Sequence, residues 1–211
     1  MPTIETARTW YAHADPVHDF AHVLRVLRLA ERLAQEEGAD LEIVQAAALL
    51  HDAEGSAPDS AERMSHHHRS ARFAGLVLLA EGWPVERISA VQHCIRAHRF
   101  RHDGETPETL EARILFDADK LDVLGAIGVA RVVAYAAINH QPFYATPSQQ
   151  FLRTGEKEAG EPHSAYHEYL FKLKRITERL HTASARTLAA ERELYLSEYF
   201  DRLGAEMIGE K

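Results

Sequence analysis

Cysteine is almost absent from these 211 residues: Cys94 stands alone, so no disulfide can form within the chain, which suits a reducing compartment. A closed, cysteine-rich zinc site is excluded on the same ground. Positive charge is in deficit, with 24 Lys and Arg against 32 Asp and Glu and a net charge of −8. That balance argues against binding extended nucleic acid, which calls for a basic stripe, though a small basic patch for a nucleotide remains compatible with it. No run approaches the roughly 18 apolar residues of a membrane span, and the N-terminal residues show no signal-peptide pattern. The expectation is a cytoplasmic protein without a membrane partner. Alternating strand patterns, internal repeats and a clear linker are also missing. What is left is 45% apolar and 27% charged residues, an ordinary globular balance, on a chain long enough to bury a sizeable core. Histidine is plentiful, with 14 copies, several clustered, and it is both the commonest metal ligand and an acid–base group.

Periodicity supplies the architecture. A short helix or arm surrounds Trp10 and Tyr11. Asp15-Pro16 reads as a cap and first helical position, starting a helix with the stripe Val23, Val26, Leu27, Ala30, Leu33 and Ala34 and ending at Gly38. His18 and His22 share one face of it. Asp40 starts a second helix, apolar nearly all round, through Leu50. Residues 53–65 carry turn chemistry and read as a rim loop. Ser65 caps a helix through His66, His67 and His68 to Leu79, and Pro84 opens another with His93 and His98. Beyond a polar loop from Phe100 to Pro107, a helix carries Leu110, Ile114, Leu115 and Asp117 into Asp119-Lys120-Leu121-Asp122, and a further helix is expected at about Val129 to Asn139. The prediction is one all-α domain over residues 1–211, with a core at about 15–139, a long loop at about 140–162 and C-terminal helices at about 163–208.

The run Ala47-Ala48-Leu49-Leu50 delivers His51-Asp52 into the interior. Burying both without partners costs several kcal/mol, on the order of 2–7 per neutral polar group. One solution is a helix end in which Asp52 caps and His51 is a satisfied core histidine; the other is a bound cation. His22, His51, Asp52 and Asp117 lie on three helices, and two nitrogens with two carboxylates suit a divalent Mn, Mg, Co, Ni or Fe ion. Four such ligands leave two octahedral positions open, which is the arrangement of a hydrolytic site.

The pattern His22…His51-Asp52…Asp117 resembles the HD-domain metal-dependent phosphohydrolases, whose signature is H…HD…D on a helical bundle. The segments His18 to Val26 and Asp117 to Arg131, with the Phe171-Lys172-Leu173 region, are similar to the small stand-alone bacterial branch, the YedJ/YpgQ-like proteins. The likeness runs from about residue 10 to 208. It implies an HD-type helical bundle with His22, His51, Asp52 and Asp117 on one divalent ion. It also implies hydrolysis of nucleotide phosphate bonds by in-line attack of activated water, triphosphate going to monophosphate and pyrophosphate.

Other residues take provisional roles. Asp52 is expected to orient water as well as bind metal, and Glu54 on the rim loop to act as a base. His66 and His98 are candidate proton donors. Arg25, Lys120 and His93 are candidate substrate contacts, the cations countering phosphate charge. Asp119 and Asp122 read as helix-end and supporting groups. One metal is the expectation, but His66 or His67 with His93 or His98 could complete a second metal site, which keeps a di-iron HD-type oxygenase open as an alternative; a non-catalytic nucleotide-binding module is a separate one. The expected partner is a small nucleotide or other phosphate ester, with a homodimer possible through the C-terminal helices.

Overall fold

The computed structural model describes residues 1–11, 19–54, 65–99 and 105–211. The expected cap at Asp15-Pro16, His18, the rim loop between Gly55 and Met64 and the Phe100 start of the polar loop lie outside them. Within the described residues every regular element is helical, as the patterning predicts. No single helix among them is long and apolar enough to cross a membrane.

The chain groups into two compact units, Met1–Leu121 with Leu180–Ala185, and Asp122–Arg179 with Arg186–Lys211. The first unit holds α1 (Ile4–Trp10), α2 (Phe20–Glu37), α3 (Leu41–Leu50), α4 (His66–Ala80), α5 (Val85–Ala97) and α6 (Leu110–Leu121). Its core is assembled around α3, in which Ile43, Val44 and all residues from Ala46 to Leu50 are buried. Helices α2, α5 and α6 pack on α3, and α6 also packs on α2 and α5, while α4 packs on α3 and α5.

Capping fixes where these helices begin. The cap of α2 is Asp19, whose carboxylate accepts from the His22 N–H, so the helix starts with His22 in its first turn. Gly38 ends α2 at φ 77°, a left-handed turn that glycine adopts at no steric cost. Asp40 caps α3 by accepting from the Glu42 and Ile43 N–H groups, and both its oxygens also accept from Arg87, at 2.7 and 3.0 Å. The backbone N–H of Asp40 donates to Glu111, so one aspartate ties together α3, α5 and α6. Gly75 on α4 leaves room for the Gln92 side chain of α5, since a Cβ there would lie 2.4 Å from Gln92 Nε2.

The second unit holds α7 (Gly125–Ile138), α8 (Gln149–Thr154), α9 (Ala165–Phe171), two 3-10 turns at Leu173–Arg175 and Thr177–Arg179, and most of α10 (Ala183–Met207). Helix α7 starts earlier than expected, at Gly125, whose φ of 67° makes the turn that launches it. Buried Asp122 pairs with Arg131. Phe200 stacks on Tyr169 at 4.4 Å in the core.

The stretch 140–161, patternless in sequence, contains α8, capped by Ser148. Glu161 anchors it by accepting from the N–H groups of Ser148 and Glu158, both at 2.7 Å, and from His167 Nε2 at 3.0 Å. Burial pushes the Glu161 carboxyl up, but His167 and these N–H groups win and hold it at about 2, against an ordinary 4.5. A carboxylate held below its unfolded value stabilises fully above pH 4.5 and loses that contribution as pH falls towards 2.

Thermal melts between pH 5 and 2 should therefore show Tm falling more steeply for the wild type than for Glu161→Gln. Asp40→Ala, which removes a cap and the partner of Arg87, should cost about 1–2 kcal/mol in urea unfolding.

Candidate metal centre

The site is built where α3 ends. The last carbonyls of an α-helix have no intrahelical donor. Here the Ala48 carbonyl is taken by His51 Nδ1 at 2.8 Å. A carbonyl can only accept, so Nδ1 carries the proton and Nε2 is left as a lone pair. His98, at the end of α5, repeats the device with Nδ1 on the Ile95 carbonyl at 2.6 Å. Both imidazoles thus present an unprotonated Nε2 to the interior, the form in which histidine binds metals.

The side chains meet in two groups joined by the His51-Asp52 pair. His22, His51 and Asp119 form one, Asp52, His66 and His98 the other, and within each the ligand atoms lie within 4.8 Å of one another. His22 Nε2 is 3.5 Å from Asp119 Oδ1. Asp52 faces both ways: Oδ2 is 3.5 Å from His51 Nε2, while Oδ1 is 3.4 Å from His66 Nε2 and 3.7 Å from His98 Nε2. These separations exceed those of ordinary hydrogen bonds. They fit donors arranged around an ion, since two ligands each about 2.1 Å from a metal stand about 3–4 Å apart. Among the described residues, His51 Nε2 and Asp52 Oδ1 are buried without a well-formed hydrogen bond. Groups so placed fit a divalent cation.

The electrostatics agree. Burial would raise the Asp52 carboxyl, but His51, His66 and His98 hold it well below the usual carboxylate range. For Asp119, burial is likewise overcome, here by Lys120 and His22, and the group stays ionised. Burial pushes the His98 imidazole down to about 3 in spite of Asp52, keeping it neutral.

Several expected residues fall elsewhere. Asp117 is the main correction, because it is Asp119 that shares the cluster with His22 and His51. Asp117 is fully buried and its oxygens accept from the His181 N–H, the Thr182 N–H at 2.8 Å and the Thr182 hydroxyl at 2.7 Å. It clasps residues 181 and 182 to α6. Two residues apart on a helix, the two aspartates point to nearly opposite faces. Lys120 bonds Asp119 at 2.5 Å and lies over the Phe116 ring. His93 is engaged at both nitrogens, by Glu105 at 2.6 Å and the Glu108 N–H at 3.1 Å, and stays outside both groups, against its expected substrate role. His98, neutral and with its only proton on a carbonyl, is a ligand or acceptor rather than the expected proton donor. His66 does reach the cluster. Its neighbours differ: His67 is buried and His68 exposed, and neither belongs to either group. Glu54 is exposed, with its main chain tied to Ser70 and Arg69 and its carboxylate outside the groups. Arg25 sits half-buried on α2 one turn beyond His22.

An HD-domain family model matches residues 19–124, the stretch that contains both groups. YpgQ of Bacillus subtilis (strain 168) is 32% identical over 213 residues, covering 97% of this chain and 94% of YpgQ. The chain belongs to the HD-domain family. The crystal structure of B. subtilis YpgQ in complex with ADP matches this HD-domain chain with a TM-score of 0.73 at 29% identity, over 98% of this chain and 99% of that one. A predicted HD superfamily hydrolase from an uncultured Thermotogales bacterium matches with a TM-score of 0.65 at 27% identity, over 97% of this chain and 90% of its own.

The two aspartates of α6 should separate cleanly in this HD domain. Asp119→Ala should abolish Mn²⁺ uptake measured by calorimetry while the fold persists. Asp117→Ala should lower stability by about 2–3 kcal/mol, the scale of hydrogen bonds to a buried charge, and retain Mn²⁺ binding at temperatures where it is folded.

Proposed function

We propose that this HD-domain protein is a divalent-metal-dependent phosphohydrolase acting on nucleotides, converting a nucleoside triphosphate to the monophosphate and pyrophosphate. The observation that carries the reading is the pair of buried ligand atoms, His51 Nε2 and Asp52 Oδ1, which make no well-formed hydrogen bond among the described residues and lie at the junction of the two His/Asp groups. The ADP bound by YpgQ supports a nucleotide as the substrate class. His22, His51, Asp52 and Asp119 would hold the ion. When bound, a divalent ion supplies a lowered pKa for water and polarises a phosphoryl oxygen.

The chain's own residues supply the rest. Asp52 is half-buried and held ionised by the histidines around it, so its carboxylate would accept from a water and orient it. Water adds to the α-phosphorus, the bond to the bridging oxygen breaks, and pyrophosphate leaves. His66, within 3.4 Å of Asp52 and at the more open side of the cluster, is placed to pass a proton to the leaving oxygen. Lys120, already drawn to Asp119, and Arg25 on α2 bring positive charge towards a polyphosphate, where a loose transition state spreads negative charge over the phosphoryl oxygens.

Asp52, His66 and His98 favour a second reading of the cofactor, in which a further ion shares Asp52 with the first. Two irons per chain and oxygen uptake would make the oxygenase alternative the better account.

Nucleoside tri-, di- and monophosphates incubated with the protein and Mn²⁺, with products separated by ion-exchange chromatography, test the proposal. Monophosphate and pyrophosphate in equal amounts, lost on chelation, are expected. Orthophosphate as the first product, or nucleotide binding without turnover, would overturn it.

A further inference from the structure

The end of α3 poses a problem that the site residues do not solve by themselves. Residues 51–54, His-Asp-Ala-Glu, include no glycine or proline to stop a helix. The default would be another turn, with the Ala53 N–H bonding the Leu49 carbonyl four residues back. Instead, the Ala53 N–H bonds the Leu50 carbonyl at 3.3 Å, a tighter three-residue turn. The Leu49 carbonyl is occupied by another donor, the hydroxyl of Tyr11, at 3.0 Å and 38 residues away in sequence. That hydroxyl also faces the Asp52 backbone N–H. Tyr11 is buried, and the helix it ends is anchored by Trp10 edge-on to Phe73 at 5.4 Å and by Arg8 over Phe20 at 4.7 Å.

We infer that Tyr11 is a positioning residue for the metal centre: its hydroxyl takes the carbonyl that would otherwise continue α3, forcing the tight turn that brings His51 Nε2 and Asp52 Oδ1 into the cluster. The residue lies outside the family-model match, which begins at residue 19. The hydroxyl's hydrogen bonds are to backbone groups, the Leu49 carbonyl and the Asp52 N–H, and the Asp52 carboxylate lies close enough to act on it electrostatically. Losing it leaves Leu49 free to draw in the Ala53 N–H, which rotates Asp52 away from His66 and His98. Partners of this kind, one step behind the ligands, typically govern metal affinity by about 10–100-fold.

The inference rests on the metal-dependent reading, and its test separates the two. Mn²⁺ affinity is measured by calorimetry on full-length wild type, Tyr11→Phe and Trp10→Leu. Hydrogen–deuterium exchange at residues 50–53 is followed in the metal-free proteins. Tyr11→Phe should bind Mn²⁺ at least tenfold more weakly, exchange faster at 50–53, and lose kcat with KM nearly unchanged. Trp10→Leu, which loosens α1 but keeps the hydroxyl, should lower Tm and leave Mn²⁺ affinity within twofold. Wild-type Mn²⁺ affinity in folded Tyr11→Phe, or an equal loss in Trp10→Leu, would overturn the role of Tyr11. A wild type that binds Mn²⁺ but hydrolyses no nucleotide would count against the phosphohydrolase reading alone, and one that binds no Mn²⁺ would overturn both.

Discussion

An imidazole and a carboxylate set side by side at the end of a helix whose last five residues are all buried have nowhere to hide from their need for partners. The molecule answers that need in two stages. The outer nitrogens of His51 and His98 are spent on the carbonyls at the ends of their own helices, which costs no additional group. The inner atoms are brought together from α2, α3, α4, α5 and α6, a set of nitrogens and carboxylate oxygens whose chemistry suits a divalent cation. Apolar packing around α3 makes the arrangement tolerable, because it is the sum of that burial rather than any single polar contact that holds the bundle.

The same residues serve as local punctuation and as chemistry. Asp19 starts α2 so that His22 falls in its first turn, facing inward with the stripe that packs on α3 and α6. Asp40 locks the far end of α3, while His51 and Tyr11 occupy carbonyls at the near end. With both ends fixed, the His51-Asp52 pair inherits a defined direction. Preorganisation of this sort keeps the ligand atoms where an ion needs them without rearrangement on binding.

Much of this was legible in the sequence, and the limits have physical causes. The stripes of α2 and α3, the Gly38 stop and the Asp40 cap announce themselves because they are local: period, cap and left-handed turn all lie within a few residues. The His51-Asp52 pair is equally visible, as polar groups delivered by an apolar run. The choice between Asp117 and Asp119 was not legible. Helix α6 is buried on more than one side, against α2, α3 and α5, so periodicity marks both aspartates as interior and says nothing about which side faces His22. Only the partners of Asp117, in residues 181 and 182, resolve it, and they are 64 and 65 residues away. Likewise, His93 and His98 share a helix and a residue type, but the acidic loop at Glu105 claims the first. Helix α8 escaped notice because six residues are too few to show a period.

The clasp made by Asp117 has a bearing on how such a protein can be cut apart. The stretch that matches the family model ends at 124, yet the donors that satisfy the deepest carboxylate of α6 come from 181 and 182, at the threshold of α10. A fragment stopping at 124 would strand an ionisable oxygen pair in an apolar interior, and the cheapest relief would be to take up a proton or to unravel the helix that also carries Asp119. The compact unit that carries α1 to α6 is therefore discontinuous: it joins the residues up to 121 with the six from 180 to 185.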